Sequence, residues 1–204
     1  MKKKLLIIGA GGHGRVIASI AKISKKYKSI CFLDDADIEF SGGYPVIDKI
    51  VNFKKYISEY VFFVAIGSNE FRQSISQKLL DSGAQIVNCI HPSAIIYDDV
   101  IIGKGVAVVA GAVINTGAVI GDGVIVNTQS SVDHDSIVGS YSHIAVGSHI
   151  AGGVTIGEKV FVGAGSVVKE AIKICDGCTI GAGAAVVKNI EQKGTYVGVP
   201  AKLK

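Results

Sequence analysis

The stretch GAVINTGAVIGDGVIVNTQSSVDHDSIVGS, residues 111–140, carries an aliphatic β-branched residue at every sixth position: Ile114, Ile120, Val126, Val132 and Val138. Extended both ways, the register holds from Ile96 to Val186, sixteen consecutive Ile or Val residues without an insertion. Chance agreement over that length is on the order of one in 10⁷, so the repeat is a structural unit. A helix repeats at about 3.6 residues and a flat strand at about 2. A period of six instead requires short strands joined by corners, each strand turning one β-branched residue inward. The fourth residue after each match is small or aliphatic, as at Ala112, Ala118, Ser130, Ser136, Ser142, Ser148, Cys178 and Ala184, and turn positions carry glycines such as Gly103, Gly105, Gly121 and Gly123. Three strands close a triangular coil of eighteen residues. Stacked coils pair at the ~4.8 Å strand spacing, and the inward side chains form columns that fill a prism. Sixteen hexads give a little over five coils.

Residues 1–90 read differently. Apolar runs at 4–8, 29–33 and 60–66 are strand-like, and residues 14–26 and 70–82 carry helical spacing. The first ninety residues are thus expected to form a small Rossmann-like parallel α/β domain and residues 91–204 the repeat domain, with His91-Pro92 marking the junction. The chain has 204 residues, 49% hydrophobic and 19% charged, which excludes disorder, and its 26 glycines ask for many tight turns. Lys and Arg number 13 against 8 Asp and Glu in residues 1–90, and 8 against 9 in the remainder. That mild local excess suits a phosphorylated small molecule better than nucleic acid. The apolar run after Met1-Lys2-Lys3-Lys4 is too short for a signal peptide, and no run is long enough to span a membrane, so a cytoplasmic location is expected. Cys175-x-x-Cys178 stands without a second pair or a nearby His, so no metal is expected.

Two turns in the first domain point to a nucleotide. Gly9-Ala10-Gly11-Gly12-His13-Gly14 follows the first apolar run and opens a helix, and Asp34 and Asp35 stand about twenty residues on. A βα turn is also glycine-rich for steric reasons alone. A second turn, Gly67-Ser68-Asn69-Glu70-Phe71-Arg72, offers an N-cap and an arginine near the same sheet edge; taken alone, Arg72 reads as a solvated helix residue. Within the repeat, Asn127, Asp133-His134-Asp135 and Tyr141-Ser142-His143 fall in successive hexads. His134 takes an outward corner, and Asp135 beside it could fix its tautomer and raise its basicity, as a general base requires. Gly152 stands eighteen residues on, one coil above, where its N–H could face an acyl oxygen. His149 and His91 are weaker candidates.

This order of motifs, closed by Val197-Gly198-Val199-Pro200-Ala201-Lys202, resembles that of the PglD/NeuD-type sugar acyltransferases, and most closely the UDP-4-amino-sugar N-acetyltransferases. The hexapeptide repeat itself resembles the left-handed parallel β-helix. The resemblance implies an acetyl-CoA-dependent enzyme, a homotrimer through the β-helices with active sites between neighbouring subunits. His134 then matches the catalytic base, Asp135 its orienting acid, His143 an acetyl-CoA contact and Gly152 the oxyanion donor. Gly9, Gly11, His13, Asp34 and Asp35 match the residues that hold the nucleotide of the sugar substrate; Gly67 and Asn127 are further substrate candidates. Val146, Ala164 and Ala182 repeat at eighteen residues, and the two alanines could leave a groove for the pantetheine arm. Some members carry His-Glu where this chain has His134-Asp135. The expected reaction is direct N-acetylation of the 4-amino group of a nucleotide-linked, UDP-type, amino-deoxy sugar. The same base would serve a sialic-acid-type O-acetyltransferase. A dehydrogenase would leave the repeat without a role, and a bare scaffold would make His134-Asp135 a coincidence.

Overall fold

The computed structural model describes residues 3–204, so Met1 and Lys2 of the lysine-rich start lie outside the described residues. The chain divides into two compact units between Pro92 and Ser93. In the first, β1 (Lys3–Ile8), β2 (Tyr27–Leu33), β3 (Phe40–Ser41), β4 (Tyr44–Asp48) and β5 (Tyr60–Val64) form one sheet in the order β3-β4-β2-β1-β5. β1 runs parallel to both β2 and β5, and β2 parallel to β4, while β3 and β4 make an antiparallel hairpin. That hairpin is absent from the sequence expectation. Its signal was Gly42-Gly43, both at positive φ, a conformation tight hairpin turns demand.

Helix α1 (Gly12–Ser24) connects β1 to β2, and α2 (Asn69–Asp81) follows β5. Both begin one or two residues before the helical periodicity does, because Gly11 and Ser68 stand at their caps. Leu6, Ile8, Leu33, Phe62 and Val64 of the sheet form one core cluster with Ile75 and Leu79 of α2 and with Ile50 and Phe53. The strand order reverses on either side of β1, so the loops leaving β1 and β5 open onto a topological switch point, where α/β sheets hold their ligands.

The second unit is the coiled prism the hexads require. One face stacks Ile95–Ile96, Val113–Ile114, Ser131–Val132, His149–Ile150, Val167–Val168 and Ala185–Val186. The next stacks Ile101–Ile102, Val119–Ile120, Ile137–Val138, Thr155–Ile156 and Lys173–Ile174. The third stacks Ala107–Val108, Ile125–Val126, His143–Ile144, Phe161–Val162 and Thr179–Ile180, then takes on Thr195–Val197 and Lys202–Leu203 from the tail. Neighbouring hexad strands pair in parallel at a shift of eighteen residues, for example Ser131 with Val113 and with His149. The second residue of each strand fills the prism: Val132, Val138, Ile144 and Ile150 are buried, whereas Ile96 and Ile102 in the first coil are only half-buried.

The inward serines are buried; Ser130, Ser148 and Ser166 donate to the carbonyl three residues back in their own turns, whereas the hydroxyls of Ser136 and Ser142 join adjacent coils. Ser136 Oγ donates to Ala151 O at 2.9 Å and accepts from Val154 N at 3.1 Å; Ser142 does the same with Gly157 O and Val160 N. A buried hydroxyl without such partners would cost about 1–3 kcal/mol. Ser136 and Ser142 therefore belong to the coil-to-coil ladder.

Candidate active site

In the first unit the glycine turn does two separate jobs. Gly9 has φ +99°, and a Cβ there would press on Ala65 O; a Cβ at Gly14 would overlap Gly9 O. These two glycines are required by close packing. Gly11 and Gly12 face open space, and Gly11 caps α1 with no side-chain acceptor, leaving first-turn N–H groups for an anion.

Asp34 holds the turn in place: its Oδ2 accepts from Ala10 N at 2.6 Å and its Oδ1 from Ala36 N at 2.8 Å. Asp35 accepts from Ile50 N at 3.0 Å and so ties down the 3-10 segment Ile50–Tyr56. Beside them runs a groove of about 420 Å³ lined in part by Gly11, Arg15, Asp34 and Phe40. Arg15 and the exposed ring of Phe40 are among the groove residues that sequence reasoning missed. Arg15 could have been found, since it directly follows Gly14 in the glycine turn.

On the other side of the turn His13 Nε2 is shut off from solvent and has no hydrogen-bond partner, although the residue as a whole is only partly buried. Burial first, and then the Arg72 charge, push its pKa down to about 4, so the ring is neutral at pH 7. Arg72 corrects the sequence expectation. It is 1% exposed, not solvated, and its guanidinium donates to Ile66 O at 2.9 Å, Gly67 O at 3.1 Å and Asn69 Oδ1 at 2.8 Å. An arginine can be buried when its fork meets acceptors in its own loop; here those acceptors are the turn that contains Gly67.

In the prism His134 stands at the corner between the first and second faces, its side chain 55% exposed. Its Nδ1 meets Asp135 Oδ2 at 2.9 Å, and that hydrogen bond is the main cause raising the imidazole pKa above its ordinary value, with Asp133 adding to it. Asp135 reaches this position from a left-handed backbone, φ +58°, which Asp tolerates better than most residues. Gly117 lies beneath it, where a Cβ would press on the carboxylate. Gly152 lies against the other side of the ring. A Cβ on Gly152 would overlap His134 Nε2 and stand 2.6 Å from Cε1. Here glycine makes room for the imidazole ring.

Ser136 was not read as a site residue, yet its two hydrogen bonds to Ala151 and Val154 fix the Gly152 turn on the His134 turn. The signal for it was its place in the inward column.

A second group lies on the third face and its corner with the first. Asn127 Nδ2 is 3.0 Å from His143 Nε2, and Phe161 meets the His143 ring edge-on at 5.2 Å. The first face separates this group from His134. Six residues at about 3.3 Å each make that face roughly 20 Å long, so within one chain the two groups do not converge. Val146, Ala164 and Ala182 stack along the Asn127 corner, joined by Gly165 N to Val146 O and Gly183 N to Ala164 O, each at 2.9 Å. His149 sits mid-face, with Nδ1 2.9 Å from Ser131 Oγ.

Residues 4–79 match the PglD N-terminal domain family and residues 153–188 the bacterial transferase hexapeptide family (six repeats). The structure superposes on the acetyltransferase domain of PglB from Neisseria gonorrhoeae, in complex with acetyl coenzyme A, with a TM-score of 0.97 and 38% identity over the whole of both chains. The chain belongs to the PglD-type hexapeptide-repeat sugar acyltransferases. The chain is also similar to PerB from Caulobacter crescentus, in complex with CoA and GDP-perosamine, with a TM-score of 0.94 and 37% identity over 100% of this chain and 98% of that one. UDP-N-acetylbacillosamine N-acetyltransferase from Bacillus subtilis is 33% identical over 107 residues, half of each protein. The chain thus spans about half the length of the curated relatives it matches. Among the described residues no helix is long and apolar enough to cross a membrane.

Proposed function

We propose that this protein is an acetyl-CoA-dependent N-acetyltransferase acting on the 4-amino group of a nucleotide-linked amino-deoxy sugar, with His134 as general base. The observation that carries this is the placement of the His134 imidazole, hydrogen-bonded to Asp135 through Nδ1 and lying against Gly152 through Nε2. With Nδ1 on the carboxylate, Nε2 is left as the acceptor. A sugar amine attacks a thioester carbonyl only when unprotonated, and His134 Nε2 takes the proton it sheds on forming the C–N bond. The carbonyl oxygen gains charge and is met by the Gly152 N–H, which donates to no other group among the described residues. The C–S bond then breaks, and CoA leaves with the proton relayed from His134. No covalent enzyme intermediate is needed.

The nucleotide takes the first unit: phosphates at the open Gly11 end of α1 with Arg15 beside them, ribose near Asp34 and Asp35, and the sugar toward His13 and Gly67. Complexes of relatives support this substrate class, one with acetyl coenzyme A and one with CoA and GDP-perosamine; a UDP-linked sugar is the base proposed here. The CoA arm runs along Val146, Ala164 and Ala182, past His143. Because Asn127 and His143 stand a face away from His134, a complete site takes His134 from one subunit and the Asn127 group from the next, in a homotrimer. Acetyl-CoA and nucleotide sugars place the work in the cytoplasm.

The test is thiol release from acetyl-CoA against a panel of UDP- and GDP-linked 4-amino sugars and sialic-acid-type hydroxy sugars. Release with amino sugars alone is expected. Release only with a hydroxyl acceptor would move the enzyme to O-acetylation, and none with any acceptor would remove the catalytic assignment.

A further inference from the structure

We infer that Ala151 is a positioning residue for the reaction, the residue that keeps the Gly152 N–H available to the reacting carbonyl. The inference rests on the catalytic role proposed above for His134 and Gly152. In this corner of the prism, two coils place before the turn a residue that caps the N–H that follows it. Asn115 Oδ1 accepts from Thr116 N at 2.8 Å, and one coil up Asp133 Oδ1 accepts from His134 N, also at 2.8 Å. Asn127 does the same for Thr128 N at the neighbouring corner. The next residue in the Asn115, Asp133 column is Ala151, which has no acceptor. The self-capping pair therefore ends one coil below the turn that lies against the imidazole, and Lys169 one coil above carries no acceptor either.

The direction of the freed N–H is also fixed. Ala151 O points into the prism, where Ser136 Oγ donates to it at 2.9 Å. The Ala151–Gly152 peptide is trans, since the cis bond of the described chain is Val199–Pro200. In a trans peptide C=O and N–H point opposite ways, so an inward carbonyl sends the Gly152 N–H outward, at the corner where His134 stands. Ala151 N is itself engaged with Val168 O at 3.1 Å, so the whole peptide is held in register. Ser136 aims the donor, and the missing side-chain acceptor at 151 leaves it unclaimed.

The test compares Ala151→Asn with Ala151→Leu, similar in bulk but only one able to cap. Both are assayed with acetyl-CoA and whichever of the UDP-linked 4-amino sugar or GDP-perosamine turns over faster. Losing one oxyanion donor costs about 10²–10³ in kcat, so kcat of A151N is expected at or below about one-thirtieth of that of A151L. KM for the nucleotide sugar should agree between the two within about twofold, and both should keep the same pH profile, since the base is untouched. Amide exchange at Gly152 should be slower in A151N. Equal kcat in the two variants, with Gly152 exchange slowed as expected, overturns the role of Ala151; unslowed exchange overturns the capping on which it depends. His134→Ala in the same assay separates the two levels: if it keeps wild-type turnover, the base assignment fails first.

Discussion

Gly152→Ala removes nothing from the protein and is expected to disable it. The glycine does not have a left-handed backbone, so alanine fits the chain without backbone strain, and the N–H stays in place. The added methyl carbon, however, would occupy the space of His134 Nε2, and it leaves only 2.6 Å to Cε1 and 3.0 Å to Cδ2. The ring must swing away, and because it is half in solvent it can do so freely, at the loss of its 2.9 Å contact with Asp135. Folding stability should change by about 0.5 kcal/mol or less, as for most surface substitutions. Turnover should fall about 10²- to 10⁴-fold, the usual contribution of a general base, or roughly 3–5 kcal/mol of barrier.

Thiol-release kinetics on Gly152→Ala, His134→Ala and the double variant check this, with urea unfolding alongside. Since both substitutions act on one imidazole, the double variant should be no slower than His134→Ala alone. If Gly152→Ala retained more than about half of wild-type kcat/KM, the imidazole position described here would not be the catalytic one.

Three further outcomes are expected. The acidic limb of kcat/KM should lie above the ordinary histidine value, because Asp135 stabilises the imidazolium; Asp135→Asn should move that limb to lower pH, and an unmoved limb would separate it from His134. His13 binds its proton only near pH 4 when folded but near 6.5 when unfolded, so the unfolded state is the better proton acceptor between those values. Stability contributed by keeping the ring neutral is present above pH 6.5 and is lost as pH falls toward 4, by about 3 kcal/mol at most, and His13→Gln should flatten that slope in urea melts. Finally, inactive His134→Ala and His143→Ala chains refolded together should recover about a quarter of wild-type activity, the share of interfaces in a random three-fold ring that pair an intact His134 with a neighbour's intact His143; no recovery above the separate variants would mean that each chain works alone.

The prism was legible because its signal is rigid: one missed Ile or Val would have broken the register, and none is missing from 96 to 186. The corner position of His134 and its vertical relation to Gly152 follow from that count alone. Contacts that depend on side-chain direction were not legible. Arg72 looked like any polar residue on an exposed helix, and only the fold of the Ile66–Asn69 turn shows why its guanidinium turns inward. Ser136 was visible as a small inward residue, but its tie to Ala151 depends on coil stacking. The β3–β4 hairpin was hidden because each strand is too short to show alternation, and Pro45 interrupts the second.

Counting also governs how this site tolerates changes of length. Each six-residue step carries the chain one third of the way around the prism, so His134 and Gly152 share an edge only because eighteen residues separate them. Six residues inserted between them would carry Gly152 to a neighbouring edge. A full eighteen would restore the edge but lift the glycine by one more storey, about 4.8 Å, leaving the imidazole against a different turn. Beyond residue 156 an extra complete turn would lengthen the column without disturbing this edge, while any remainder would rotate everything above it. Such a chain grows like a screw: whole revolutions are nearly silent, and fractions are not.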